Sequence, residues 1–287
     1  MRVIVLNDLV AIVAGRDGYF LINRKDVYIG RALEVYGEFS GAEAAFFKRL
    51  IKPGDNVVEI GANIGAHTIG LSKAAGSTGK VFAFEPQRAC YALLQAQIAL
   101  NQLTNVFAYN VALGSKRSRL WVPATRYAEL GNFGGVALSN SQVAAGEPVD
   151  VTTFDERLAN ISCAFVKIDI EGMEEEVIRG GMKMIRKYKP MVYVENDRIE
   201  KSKSLVSVLL ELGYRLWWHI PPLYNRDNFF AIKENIYGIT ASFNMICAHE
   251  HHDAMGGLVE IKSPDDPHPL APWSRPPGSQ PSENVRQ

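Results

Sequence analysis

Apolar and polar positions along the chain follow two periods, one of strands and one of helices. Arg2 to Val5 and Tyr19 to Ile22 are short apolar runs broken by Asn, Asp and Gly, which predicts a small β element over residues 1–39. A helix is expected next. Ser40 stands as its N-cap, Glu43 completes a capping-box pattern, and Ala44, Phe46, Phe47, Leu50 and Ile51 recur at helical spacing. Lys52-Pro53-Gly54-Asp55 stops it. From there strands are expected at 56–60, 80–85, 105–111, 163–169, 191–195, 214–219 and 242–248, with helices at 66–75, 88–101, 173–188 (interrupted at Gly180-Gly181) and 201–212. A strand or edge is read at 149–153. The rhythm breaks from Pro123 to Pro148, where Gly131, Gly134, Gly135 and Gly146 lie among Asn and Ser. That stretch reads as a long loop over one sheet edge, of a kind that often carries function. Short strands alternating with helices predict a parallel α/β sheet covered on both faces.

Composition narrows the function classes. The 31 Lys+Arg balance 31 Asp+Glu, so no net field draws in a phosphate backbone, and nucleic acid is not the expected partner. With 47% hydrophobic and 22% charged residues the chain is globular rather than disordered. Cys90, Cys163 and Cys247 are far apart and form no C-x-x-C pair, which speaks against a disulfide framework or structural zinc and fits the cytoplasm. No apolar run reaches the roughly 18 residues of a membrane span. The apolar start of the chain is signal-like, but Asn7 and Asp8 interrupt it. Seven of the 14 prolines fall in 263–287, expected to be an unfolded tail, leaving 40–262 as the main domain. A homo-oligomer is left open.

Three motifs carry chemistry. In Val57-Val58-Glu59-Ile60-Gly61-Ala62-Asn63-Ile64-Gly65 a strand passes into a helix through G-x-x-x-G. Gly61 permits a sharp turn that brings backbone N–H groups toward a ligand, and Gly65 permits close packing at the helix start. An ordinary glycine turn is the plain alternative. The dinucleotide fingerprint G-x-G-x-x-G is absent, because Asn63 stands where a pyrophosphate needs bare backbone. Glu59 would repel a pyrophosphate, yet suits an ammonium-bearing ligand. The run Val81 to Pro86 ends a strand in Glu85, 24 residues after Gly61, near the spacing at which α/β nucleotide folds hold a ribose. Its alternative is a helix N-terminal Glu favoured by the dipole. The run Phe165 to Glu174 sends Asp169 and Glu171 off a strand's C-terminal end, suited to orienting a hydroxyl, taking its proton or binding a divalent cation. Otherwise they cap the following helix, as the Glu174-Glu175-Glu176 run does.

Taken together, E-I-G-A-N-I-G-A-H-T, F-E-P, K-I-D-I-E-G-M-E-E-E-V-I-R-G-G and a late V-E-N resemble the FkbM-type methyltransferases, from about Glu43 to Cys247. The family's usual Asp before the loop is Glu59 here. The resemblance implies a class I methyltransferase fold: a Rossmann-like, mostly parallel sheet of seven strands, the last reversed. It implies S-adenosyl-L-methionine as cofactor and O-methylation of hydroxyls on sugars, glycosylated metabolites or surface glycans. It places Glu59, Gly61, Ala62, Asn63 and Gly65 around the cofactor's methionine part, Glu85 with Pro86 at the ribose, Asn110 and Ala112 at the adenine, and Asp169 and Glu171 toward methyl group and acceptor.

A sugar hydroxyl is a weak acid, so a base or a divalent metal is expected. Asp169, Glu171, Glu195, His67 and His219 are the candidate bases, and no metal-ligand set is identified. His219 reads equally as a base or as a core-edge residue, and His67 as packing or a cofactor contact. His249, His251 and His252 read as exposed surface. Trp217, Trp218, Tyr224, Phe229 and Phe230 read equally as a sugar platform or as core. An NAD-dependent oxidoreductase and a non-catalytic cofactor-binding scaffold are the alternatives; Asn63 speaks against the first.

Overall fold

A computed structural model describes residues 2–250, 252 and 255–271. Three strands, β1 (Val3–Val5), β2 (Val10–Ala14) and β3 (Tyr19–Asn23), form an antiparallel meander. Two helices follow, α1 (Ile29–Tyr36) and α2 (Gly41–Leu50). The alternating region supplies β4 (Asn56–Ile60), α3 (Thr68–Ala75), β5 (Lys80–Phe84), α4 (Arg88–Leu100) and β6 (Val106–Tyr109). Next come the short strands β7 (Ala112–Leu113) and β8 (Ser118–Val122), then β9 (Glu147–Thr152) and α5 (Phe154–Leu158). The second half contains β10 (Phe165–Ile168), α6 (Glu174–Gly180), α7 (Met182–Tyr188), β11 (Met191–Glu195), α8 (Ile199–Glu211), β12 (Arg215–His219), β13 (Asn244–Ala248) and β14 (Val259–Ile261).

Eight of the described strands form one sheet in the order β14-β12-β13-β11-β10-β4-β5-β6. The pairs β11–β10, β10–β4, β4–β5 and β5–β6 are parallel, while β13 runs antiparallel to both its neighbours. This is the doubly wound sheet with a reversed last strand that the resemblance implies. It carries one strand more than the expected seven, because β14 adds an antiparallel edge beside β12. Val57, Val81, Ala83 and Phe165 face a core shared with α1 to α4 and the meander, while Val58, Phe82, Phe84 and Val166 face α5 to α8. Helices thus cover both faces, which is why these strands read as unbroken apolar runs.

Three local expectations are corrected. Ser40 takes a left-handed conformation (φ 42°) and makes no side-chain cap, so the capping box is not formed and Glu43 is free to turn inward. The strand at 105–111 ends at Tyr109, and Ala112–Leu113 leaves to join β9 and β8 in a separate three-stranded sheet. Residues 263–271, placed in the unfolded tail, fold against the sheet. His268 is 7% exposed, its Nε2 lies 2.8 Å from the Asn196 carbonyl, and its ring meets Trp218 edge-on. The remaining tail prolines and His251 lie outside the described residues.

The long loop between β8 and β9 is held from three sides. The Val27 N–H donates to the Gly131 carbonyl, the Gly131 N–H donates to the Lys25 carbonyl, and Asn23 Nδ2 donates to the Tyr127 carbonyl. Gln87 Nε2 donates to the Phe133 carbonyl, and the Tyr127 hydroxyl donates to Gln87 Oε1. The N-terminal meander therefore braces the loop over the C-terminal ends of β4 and β5, where doubly wound sheets place their ligands.

Candidate functional site

Strand alternation builds a polar row across the centre of the sheet. Glu59 on β4, Lys167 on β10, Glu195 on β11 and Asn244 on β13 occupy the alternating positions that face α1 to α4. In register, Lys167 lies opposite Glu59 and Glu195 opposite Asn244. Charged groups inside a two-sided sheet are costly unless partnered. Lys167 is 2% exposed, and its Nζ lies 2.7 Å from Asp169 Oδ2. Burial works against the ammonium, but Asp169, Glu43 and Glu59 overcome it and raise its pKa. Glu59 is 1% exposed and accepts from Thr68 Oγ1 at 2.5 Å; burial raises its pKa against the pull of Lys167. Glu43 enters from α2, 3.5 Å from His67 Nε2. Burial opposes its charge, yet His67 and Lys167 hold it down at about 2.

The loops beyond β4, β5 and β10 close this row into a cavity of about 380 Å³. Gly61 has φ 83°, and a Cβ there would stand 1.8 Å from the Asp169 carbonyl oxygen, so side chains are excluded and the two loops touch through backbone. Asn63 follows at φ 51°, a left-handed position that Asn tolerates, with its Oδ1 accepting from the Ile64 N–H at 2.7 Å. Its own N–H donates to Glu85 Oε2 at 2.8 Å, while the Gln87 N–H donates to Oε1, also at 2.8 Å. Each Glu85 oxygen is thus fixed by backbone and keeps further acceptor capacity. Burial pushes this carboxyl up to about 7 despite the two N–H groups. Gly134 and Gly135 of the long loop wall the cavity opposite, their N–H groups tied to Asn132 Oδ1.

The model of the methyltransferase FkbM domain matches residues 59–216, more than half of the 287. The chain belongs to the FkbM methyltransferase family. Similar solved structures include the methyltransferase FkbM of Methylobacillus flagellatus KT, 16% identical, with 77% of this chain and 55% of that one covered and a TM-score of 0.43. This chain therefore spans about half of the Methylobacillus protein. Another is Aeropyrum pernix fibrillarin with natively bound S-adenosyl-L-methionine, 14% identical, covering 86% of this chain and 98% of that one with a TM-score of 0.43. A curated relative, the catalytic subunit TRM61 of the Yarrowia lipolytica tRNA (adenine(58)-N(1))-methyltransferase, is 39% identical over 56 residues, which are 20% of this chain and 14% of that protein.

The FkbM motifs converge on the cavity. Glu59, Gly61, Ala62, Asn63, Glu85, Pro86, Ala112, Asp169, Glu171 and Glu195 all line it. Gly65 does not; it lies behind the loop, where a Cβ would meet Leu94 Cδ1 at 2.9 Å. Asn110 turns away from it and donates through Nδ2 to the carbonyls of Glu85 and Pro86, fixing the F-E-P turn. His219 falls to its core-edge reading, stacked on Phe46 at 4.1 Å with Nδ1 2.8 Å from the Tyr193 hydroxyl. Burial lowers its pKa. Neither Asp169 nor Glu171 caps a helix; Glu174 Oε1 takes the Gly172 N–H. Glu171, at φ 23°, is ion-paired with Arg198, whereas Asp169 is held by Lys167 and its side chain stays 44% exposed. Burial first, then Asp169 and Asp197, raise Glu195 well above the ordinary carboxylate range.

The aromatic platform is not formed. Trp217 and Trp218 are buried, Tyr224 packs on Tyr36, and Phe229 and Phe230 pack on each other under Gly37. His249 lies against Tyr214, 4.3 Å between ring centroids. Among the described residues no three His, Cys, Asp or Glu side chains converge to hold a metal, and no helix is long and apolar enough to cross a membrane. Sequence reading passed over Lys167, Glu43 and Asn244. Lys167 stands inside the K-I-D-I-E-G motif, and only the central place of its strand turns an apparent surface lysine into a buried one.

Proposed function

We propose that this chain is an S-adenosyl-L-methionine-dependent O-methyltransferase acting on a hydroxyl of a sugar or glycosylated metabolite. The observation that carries the reading is the shared cavity, with Glu85 and the Gly61–Asn63 turn at one part of its wall and the Lys167–Asp169 pair at another. The residues suit the cofactor. Glu85 presents two fixed oxygens to the ribose hydroxyls, and the surrounding carboxylates favour a cationic ligand over a pyrophosphate. When bound, the cofactor supplies a methyl group on a positively charged sulfur with a good leaving group.

The protein's own task is then to hold an acceptor hydroxyl in line and remove its proton. Asp169 is the residue for that step. It opens onto the cavity, and Lys167 fixes one of its oxygens. Glu171 is engaged by Arg198, and burial beside Asp169 and Asp197 disfavours the charged form of Glu195, so we assign both to binding. The acidic wall argues against a nucleic-acid acceptor, whose phosphates it would repel.

Calorimetry with S-adenosyl-L-methionine, its demethylated product and NADH tests the cofactor; NADH binding in the absence of the other two refutes it. Asp169→Asn is expected to leave cofactor affinity within about twofold while lowering methyl transfer by roughly 10²–10⁴, the usual worth of a general base. Full activity of that variant removes Asp169 from the role. Loss of activity on chelation would assign deprotonation to a metal instead.

A further inference from the structure

Of the four members of the polar row, two have partners: Glu59 is satisfied by Thr68 and Lys167 by Asp169. The other two each leave an atom open. Glu195 Oε2 and Asn244 Nδ2 are both buried without a hydrogen-bond partner, and both residues line the cavity. Asn244 is 3% exposed. They face each other directly across the antiparallel β11–β13 pair, which sets their Cβ atoms about 5 Å apart. A buried donor and a buried acceptor left open side by side are costly to the folded chain, and in a cavity wall such groups are completed by water or by a ligand that displaces it.

The missing group has a definite chemistry. It must accept from an amide N–H and meet a carboxyl within one contact, and a hydroxyl does both. It must also be uncharged, since Asp169, Glu171 and Asp197 line the same part of the cavity and would repel an anion. Its distance from the reacting position follows from register. Ile168 pairs with Val194, so Asp169 and Glu195 leave adjacent strands at the same level, about 5 Å apart. Two hydroxyls of one sugar ring span such a gap.

We propose that Glu195 and Asn244 form an acceptor subsite that binds a second, non-reacting hydroxyl of a neutral polyhydroxylated ring while Asp169 addresses the reacting one. Sugars bearing a carboxylate or phosphate near the reacting hydroxyl are refused. The proposal rests on the methyltransferase reading above.

The test uses the full chain loaded with S-adenosylhomocysteine, and methyl hexopyranosides with their uronate counterparts as probes. Binding is read by saturation-transfer NMR, and turnover by transfer of labelled methyl from S-adenosylmethionine. Neutral glycosides are expected to bind, and the matching uronates at least about tenfold more weakly. Asn244→Ala and Glu195→Ala are each expected to raise KM for a neutral glycoside about tenfold with cofactor affinity retained. Glu195→Gln, which keeps a donor and an acceptor, loses less than Glu195→Ala. Retained cofactor affinity also shows that each variant is folded. Uronates accepted as well as neutral glycosides, or KM unmoved in both alanine variants, overturn the subsite while leaving the methyltransferase reading intact. Cofactor binding with no glycoside bound or methylated overturns both.

Discussion

A residue at this site can work against stability, and Glu85 shows how. Burial holds its carboxyl protonated up to about 7, whereas in the unfolded chain it ionises near the ordinary 4.5. As pH rises through that window the unfolded chain releases its proton first, so the ligand-free protein loses stability. Glu85→Gln lacks this penalty and should gain on wild type between pH 5 and pH 8 by up to about 3 kcal/mol. Urea unfolding at both pH values checks it, and an identical difference at the two would refute the buried, protonated state. Lys167 works in the opposite sense. Lys167→Met leaves Glu43, Glu59 and Asp169 facing one another without a cation, and should cost about 3–5 kcal/mol in denaturant unfolding; a loss under 1 kcal/mol would show that solvent screens the cluster. Glu85 was legible in the sequence because a carboxylate ending an apolar strand before Pro86 has few other uses. Lys167 and Asn244 were not, since only the strand order -β13-β11-β10-β4- brings them beside Glu195 and Glu59.

Among the elements, α4 does more than cover the sheet. Strand β3 is an edge of the meander, and its backbone groups are met by two side chains four residues apart, one on α4 and one at its C-cap. Gln97 bonds the N–H and carbonyl of Leu21 at 2.8 and 2.7 Å, and Asn101 bonds those of Tyr19 at the same distances. Four helical residues advance about 6 Å and two strand residues about 6.6 Å, so the amides act as a missing neighbour strand and shield the edge. Gln97→Leu strips two half-buried backbone groups of their partners and should cost about 1–3 kcal/mol. Hydrogen exchange should show faster labelling of β3 than in wild type while β4 is unchanged; uniform labelling would deny a local role. The strands 56–60, 80–84 and 191–195 were legible because turn residues bound compact apolar runs. Helix α1 was not, as its N-cap Tyr28 offers no capping side chain, and neither was β14, three residues among charged neighbours.

At the scale of the whole molecule, the folded unit extends beyond the expected boundary at 262. Leu270 reaches the cavity wall, and its N–H donates to His268 Nδ1 at 3.1 Å. A chain ending at Lys262 should therefore melt several degrees lower, corresponding to about 1–3 kcal/mol of lost packing, and bind acceptor more weakly with cofactor affinity retained. An unchanged melting temperature would show that 263–271 contributes nothing to the fold. Burial holds His268 below its ordinary 6.5, so its share of stability is present above that pH and fades as pH falls. The bracing of the N-terminal residues has a consequence for folding order. Arg2 bonds the Phe230 carbonyl, Tyr36 the Glu234 carbonyl, and Glu38 holds Asn225 and the Phe229 N–H. These partners lie 187 to 228 residues later in the chain. Contacts of such separation close late, so these residues settle only after partners made much later in synthesis. Until residues 225–234 have been made, Arg2, Tyr36 and Glu38 lack these partners, and a nascent chain stalled before Tyr224 should leave β1 more open to protease than the finished protein does.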